Sequence, residues 1–75
     1  MGRVTPQQEA IASFWTATKK AGFSHEDLAA GKIVRFRFRG RAHRLDSRAE
    51  KGFKTYADYE AATNRRILAS VGLAP

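Results

Sequence analysis

The sequence contains no cysteine, which excludes disulfide bonds and cysteine-ligated metal ions as sources of stability. Its two histidines, His25 and His43, do not form the closely spaced pair that metal-binding motifs use. No apolar run approaches the about 20 residues that a membrane-spanning helix needs, and the first residues lack the apolar core of a signal peptide. We therefore expect a cytoplasmic protein with no cofactor, no metal and no membrane contact.

The chain is also short. Its 75 residues predict a single small domain, residues 1–75, with residues 1–4 and 73–75 as flexible tails. A domain of this size buries only about 60% of the surface that its unfolded chain exposes, so its stability is marginal. Because disulfides are excluded, contacts with a partner are the remaining candidate for additional stabilisation.

Acidic residues are scarce. Fourteen lysines and arginines face seven aspartates and glutamates, which gives a net charge of +7. Nine of the fourteen cations lie between Lys32 and Lys54, where only Asp46 and Glu50 oppose them, whereas the flanking segments are balanced. This distribution predicts a localised positive field in the middle of the chain.

Three capping signals predict three helices. Thr5 precedes a proline and an apolar spacing typical of a helix, which we place at Pro6–Ala21. Ser24 precedes a second helix of at most two turns. Thr55 precedes the last helix, which we place at Tyr56–Val71, with acidic residues near its start.

The segment between the second and third helices predicts a β-hairpin. Residues Ile33–Arg39 alternate strictly between apolar and polar side chains, and Gly40-Arg41 suits a two-residue turn with glycine first. In this register the phenylalanines share one face, Arg35 pairs with Asp46, and Arg37 opposes Arg44 with like charge. The predicted opposing pairs are Arg39–Ala42, Phe38–His43, Phe36–Leu45, Arg37–Arg44 and Arg35–Asp46.

These elements predict an α+β fold, in which two longer helices and one short helix pack on a two-stranded antiparallel hairpin. An isolated hairpin is not stable in water, so we expect the two longer helices to cover its apolar face. Residues 47–54 predict a basic loop, with Phe53 tucked beneath it. The predicted core consists of Ile11, Phe14, Trp15, Leu28, Val34, Phe36, Phe38, Leu45, Tyr59, Ile67, Leu68 and Val71.

The candidate functional residues are the cations of this central segment. Guanidinium groups bind phosphates and carboxylates in bidentate fashion, so the partner is either nucleic acid or an acidic protein surface. An alternative interpretation is that the arginines only solubilise the outer face of the hairpin. The predicted partner-contacting residues are Arg35, Arg37, Arg39, Arg41, Arg44, Arg48, Lys51 and Lys54.

We do not expect an enzyme. The serines stand in no nucleophile motif, and the glycines form no phosphate-binding loop. His43 is interpreted as a half-buried strand residue opposite an aromatic ring, and Phe36 and Phe38 as core rather than as stacking platforms for bases.

The segment Asp27–Ile67, "DLAAGKIVRFRFRGRAHRL…TYADYEAATNRRI", resembles the gpW-type head-completion (head–tail joining) proteins of tailed bacteriophages. It shares with them a helix ending in Gly-Lys, a strand, "RGR" at the turn, a second strand and a polar closing helix. The extra "GFSHED" segment and the long basic loop depart from that pattern.

The resemblance implies a structural connector of a phage-like particle, located in the virion after assembly in the host cytoplasm. It implies a homo-oligomeric ring that contacts the portal, neighbouring connector subunits and tail proteins, and that flanks the DNA channel without reading base sequence. The alternative is a free-standing nucleic-acid-binding module that uses the same arginines. A third possibility is a small inhibitor of a nucleic-acid-binding partner.

Overall fold

A computed structural model describes residues 4–49 and 52–73. Three helices and one hairpin confirm the predicted α+β fold. In chain order they are α1 (Pro6–Ala21), α2 (His25–Ala30), β1 (Ile33–Phe38), β2 (Arg41–Asp46) and α3 (Tyr56–Ser70). The predicted site residue Lys51, and the tail residues 1–3, 74 and 75, lie outside the described residues.

Helix α1 has the predicted boundaries, because local caps define both of its ends. Thr5 Oγ1 accepts a hydrogen bond from Gln8 N–H at 3.1 Å, and Gln8 Oε1 accepts one from Thr5 N–H at 3.1 Å, which completes a capping box. At the other end Gly22 adopts a left-handed conformation with φ 76°, and Phe23 folds back against the core.

Helices α2 and α3 also begin at the predicted caps. Ser24 accepts a hydrogen bond from Asp27 N–H, and Thr55 accepts one from Asp58 N–H. Helix α3 ends at Ser70, one residue before the predicted end, and Leu73 N–H then donates to the Leu68 carbonyl. Leu73, which the sequence placed in a free tail, packs against the core.

The predicted register of the hairpin is wrong by two residues. Phe38 lies opposite Arg41, so the turn residues are Arg39 and Gly40 rather than Gly40 and Arg41. Both have positive φ, 51° and 78°, as a type I′ turn requires. This turn and the predicted one both match the right-handed twist of the strands, so the turn does not decide between them. The observed register is fixed at the other end of the hairpin, where Ser47 lies opposite Lys32 and hydrogen-bonds to Lys32 and Leu28. Because the shift is an even number, every side chain keeps its predicted face.

The core lies between the inner face of the hairpin and the two longer helices. Phe14 is at its centre, with ring contacts to Trp15 at 4.9 Å and to Phe36 at 5.6 Å, both edge-to-face. The buried apolar residues are Ala10, Phe14, Leu28, Val34, Phe36, Phe38, Tyr59 and Ile67.

Other predicted core residues are only partly buried, since they lie at its margin: Ile11, Trp15, Leu45, Leu68 and Val71. Ala10, Thr18 and Thr63 are buried although they were absent from the predicted core, which is consistent with a close approach of α1 and α3 at small side chains.

The segment that follows β2 is less loop-like than its polar sequence suggests. Ser47 is fully buried, and its hydroxyl donates to the Leu28 carbonyl at 2.8 Å while accepting from Lys32 N–H at 2.9 Å. The Ser47 carbonyl accepts a hydrogen bond from the Tyr59 hydroxyl. Ser47 therefore connects α2, the base of β1 and α3, and we call this arrangement the Ser47 junction.

Among the described helices, none is both long enough and apolar enough to cross a membrane.

Candidate polyanion-binding surface

The hairpin has one face that no described helix covers. Opposing residues of an antiparallel pair share a face, so the register assigns three cross-strand pairs to this side. All six of their residues are exposed, whereas Val34, Phe36 and Phe38 on the other face are buried. We call this surface the outer face; it consists of Ile33, Arg35, Arg37, Ala42, Arg44 and Asp46.

Two arginines of the outer face lie directly opposite each other. The corrected register pairs Arg35 with Arg44, where the sequence predicted Arg35 with Asp46. Ser47 N–H donates to the Lys32 carbonyl at 2.9 Å, and bonded and unbonded positions alternate along the ladder. The arginine pair is therefore at an unbonded position, where the Cα atoms approach to about 4.5 Å.

This pairing makes the outer face a place where anions are stabilised. Like charges directly opposite each other on a strand pair are destabilising, and Arg37 lies diagonally across from Arg44. Within the described residues, no hydrogen bond or ion pair engages Arg35, Arg37 or Arg44. A phosphate or carboxylate placed between these guanidinium groups would remove the repulsion and form charge-assisted hydrogen bonds.

The remaining predicted hairpin cations lie at the tip. Arg39 is in the turn, and its guanidinium carbon stands 5.3 Å from the centre of the Phe38 ring. Arg41 lies opposite Phe38, on the side of the ribbon that faces the helices, yet it is exposed. The structure thus divides the five hairpin arginines into three on the outer face and two at the tip.

Arg48 and Lys54 are exposed and lie outside the two strands, with Arg48 just beyond the base of the outer face, where its N–H donates to the Asp46 carboxylate at 2.8 Å. Arg48 is beside Gly31, whose added Cβ would meet the Arg48 Nε at 3.0 Å. Lys54 immediately precedes the Thr55 cap of α3. The predicted set of eight cations is therefore not one cluster.

Arg66 is a structural cation that the sequence did not single out. Its guanidinium donates to the Asp46 carbonyl at 2.6 Å and to the Arg48 carbonyl at 3.0 Å. It therefore fastens the end of β2 to α3. Nothing in its local sequence pattern indicates these distant acceptors.

The aromatic rings are not free for base stacking on the outer face. Phe36 and Phe38 are buried, and half-buried His43 stacks on Phe36 with ring centres 5.5 Å apart. Elsewhere His25 stacks on Tyr56 at 3.8 Å, where burial raises the pKa of the tyrosine hydroxyl. The interpretation of the phenylalanines as core is confirmed.

A groove runs between α1 and β2, because α1 packs on β1 and α3 but not on β2. Its volume is about 990 Å³, its walls on α1 include Ala12, Ser13 and Thr16, and Phe36 and His43 also line it. The described residues include no group of three metal-capable side chains here or elsewhere. Arg35, Arg37 and Arg44 also contribute to the lining of this groove, so the groove and the outer face share these cations and are not two separate sites.

Comparison of the chain with protein-family models, with curated proteins and with solved structures finds no match.

Proposed function

We propose that this protein is a non-enzymatic module that binds the phosphates of nucleic acid through the outer face. The observation that carries the proposal is the opposition of Arg35 and Arg44, with Arg37 beside them, on a surface covered by no described element. Like charges directly opposite each other destabilise a strand pair, and a phosphate bound between them would remove that cost and form charge-assisted hydrogen bonds.

The proposal gives a definite salt dependence. Neutralising three phosphates of duplex DNA gives a slope of log K against log salt of about −2.7, so affinity falls about 40-fold between about 50 and about 200 mM salt. If the tip arginines Arg39 and Arg41 also contact phosphates, the slope approaches about −4.5.

A titration of labelled duplex DNA by fluorescence anisotropy, repeated across salt, tests this. The variant Arg35→Gln/Arg37→Gln/Arg44→Gln should bind at least about tenfold more weakly and lose most of the slope. The matched control Lys19→Gln/Lys54→Gln/Arg65→Gln removes the same charge from exposed positions off the outer face. Equal losses in both variants would show that only net charge matters. Competition with poly-glutamate tests whether the natural partner is instead an acidic protein surface. In that case poly-glutamate should displace the DNA when its concentration of negative charge is similar to that of the DNA.

The second candidate is the structural connector of a phage-like particle, which the element order and the distribution of acids favour. The stacking of His25 on Tyr56 brings the starts of α2 and α3 together. Four of the seven acids lie there, away from the basic hairpin: Glu26, Asp27, Asp58 and Glu60. A molecule with one basic and one acidic surface is suited to head-to-tail contacts between copies, and such contacts form a ring when the rotation between neighbouring copies closes.

Charge-swap variants test this contact. Arg35→Glu/Arg44→Glu and Glu26→Lys/Asp58→Lys should each remain monomeric in native mass spectrometry at low salt, whereas an equimolar mixture should assemble. Assembly of each variant by itself, or a wild-type protein that is monomeric at every concentration, would argue against the connector.

A further inference from the structure

The outer face belongs to a narrow ribbon that is bare over its full length. Each strand has six residues, and at about 3.3 Å per residue the ribbon is about 20 Å long, with its two backbones about 4.8 Å apart. The outward side chains at every position of both strands are exposed, so no described helix limits access to this face.

We propose that this ribbon enters the major groove of duplex DNA, and that its arginines contact bases as well as phosphates. The inference rests on the proposed binding of nucleic acid. The major groove of B-form DNA is about 12 Å wide and admits a two-stranded β-ribbon. Entry of the ribbon into this groove does not require the helices to move, because the helices pack on the opposite side of the hairpin.

The chemistry of the outer face fits the floor of that groove. Arg35, Arg37 and Arg44 present guanidinium forks, and the O6 and N7 atoms of guanine are the acceptors that such forks bind in bidentate fashion. Ile33 is 54% exposed, which is unusual for an isoleucine, and thymine presents a methyl group in the same groove. Asp46 keeps one negative charge at the base of this face, where its carboxylate accepts a hydrogen bond from Arg48 N–H at 2.8 Å.

The ends of the ribbon supply phosphate contacts on either side of the groove. Arg39 and Arg41 are at the tip, and Arg48 is beyond the base, so exposed cations flank the outer face at both ends. Single-stranded nucleic acid is disfavoured as a partner, since its binders use exposed aromatic platforms and the phenylalanines here are buried.

The test compares duplexes that differ only in the groove. One duplex contains guanine and the other 7-deazaguanine, which lacks the N7 acceptor but carries the same backbone charge. We expect binding at least about fivefold weaker to the second, with the salt slope unchanged. Arg37→Lys keeps the positive charge but loses the guanidinium fork, so it should reduce the difference in affinity between the two duplexes. Arg65→Lys should leave that difference in affinity unchanged.

The outcomes separate the two proposals. Equal affinity for both duplexes would overturn the groove inference while leaving phosphate binding in place. Tighter binding to single strands, or to a double-stranded RNA whose major groove is too narrow to enter, would overturn it as well. Failure to bind any of the nucleic acids would remove the proposed function together with the inference.

Discussion

The Ser47 junction gives the sharpest prediction about stability. Ser47→Ala removes one hydroxyl that is 0% exposed and that serves two backbone groups, the Leu28 carbonyl at 2.8 Å and Lys32 N–H at 2.9 Å. The Leu28 carbonyl belongs to the end of α2, and Lys32 N–H belongs to the short connection between α2 and β1. Leaving a buried polar group unsatisfied costs about 1–3 kcal/mol, and Lys32 is exposed enough to recruit water. We therefore expect a total loss of about 2–3 kcal/mol.

Urea unfolding followed by circular dichroism measures this loss. For a chain of this size the unfolding free energy changes by about 1 kcal/mol per molar urea, so the midpoint should fall by about 2–3 M. Ser13→Ala is the matched control, because Ser13 lies on α1 at the groove and its side chain makes no hydrogen bond among the described residues. A midpoint shift for Ser47→Ala no larger than that of Ser13→Ala would refute the assignment of two backbone groups to one hydroxyl.

Three further predictions concern the turn, a cap and a partly buried hydrogen-bonded pair. Gly40→Ala should lower stability by about 1–2 kcal/mol in thermal unfolding, because Gly40 has φ 78°, which alanine adopts only with strain. In the control Gly52→Ala the added Cβ meets no atom within 4 Å, so stability should change by less than about 0.5 kcal/mol. Hydrogen bonds with Ser24, first from the backbone and then from the side chain, hold the pKa of Asp27 below its ordinary 3.8. The ionised Asp27 therefore adds to the free energy of unfolding in full above its unfolded pKa, and this stabilisation is lost as the pH falls through its folded pKa. Asp27→Asn should therefore flatten the acid limb of stability measured by urea midpoints between about pH 2 and about pH 6, and an unchanged limb would contradict this. Asn64→Ala should cost about 1 kcal/mol in urea unfolding, because Asn64 Oδ1 accepts the Trp15 Nε1–H at 2.7 Å, and no loss would show that water replaces the bond.

The elements were predictable because their signals are local. Thr5, Ser24 and Thr55 each cap a helix by accepting a hydrogen bond from the backbone N–H three residues later. The strict alternation of apolar and polar residues identifies β1 independently of how β1 pairs with β2. The inward face of the phenylalanines follows from the same alternation, and an even register shift cannot change it.

The details that were missed depend on distant parts of the chain. The observed register requires Arg39 to adopt a positive φ, which residues other than glycine rarely do. For this reason the sequence did not indicate that Gly40 occupies the second position of the turn. Ser47 and Arg66 look like ordinary polar residues, and only the docking of α2 and α3 around the base of the hairpin gives them partners. The division of the cations into an outer face, a tip and the Arg48 position follows from that corrected register.

The hairpin has only two strands, so each strand has a neighbour on one side and an open edge on the other. Such edges expose backbone N–H and C=O groups that can pair with a third strand, and cationic side chains discourage that pairing between copies. Arg35, Arg37 and Arg44 therefore disfavour edge-to-edge strand pairing between the hairpins of two free molecules. A ligand that neutralises them also removes this protection, so the bound protein should self-associate more readily than the free protein.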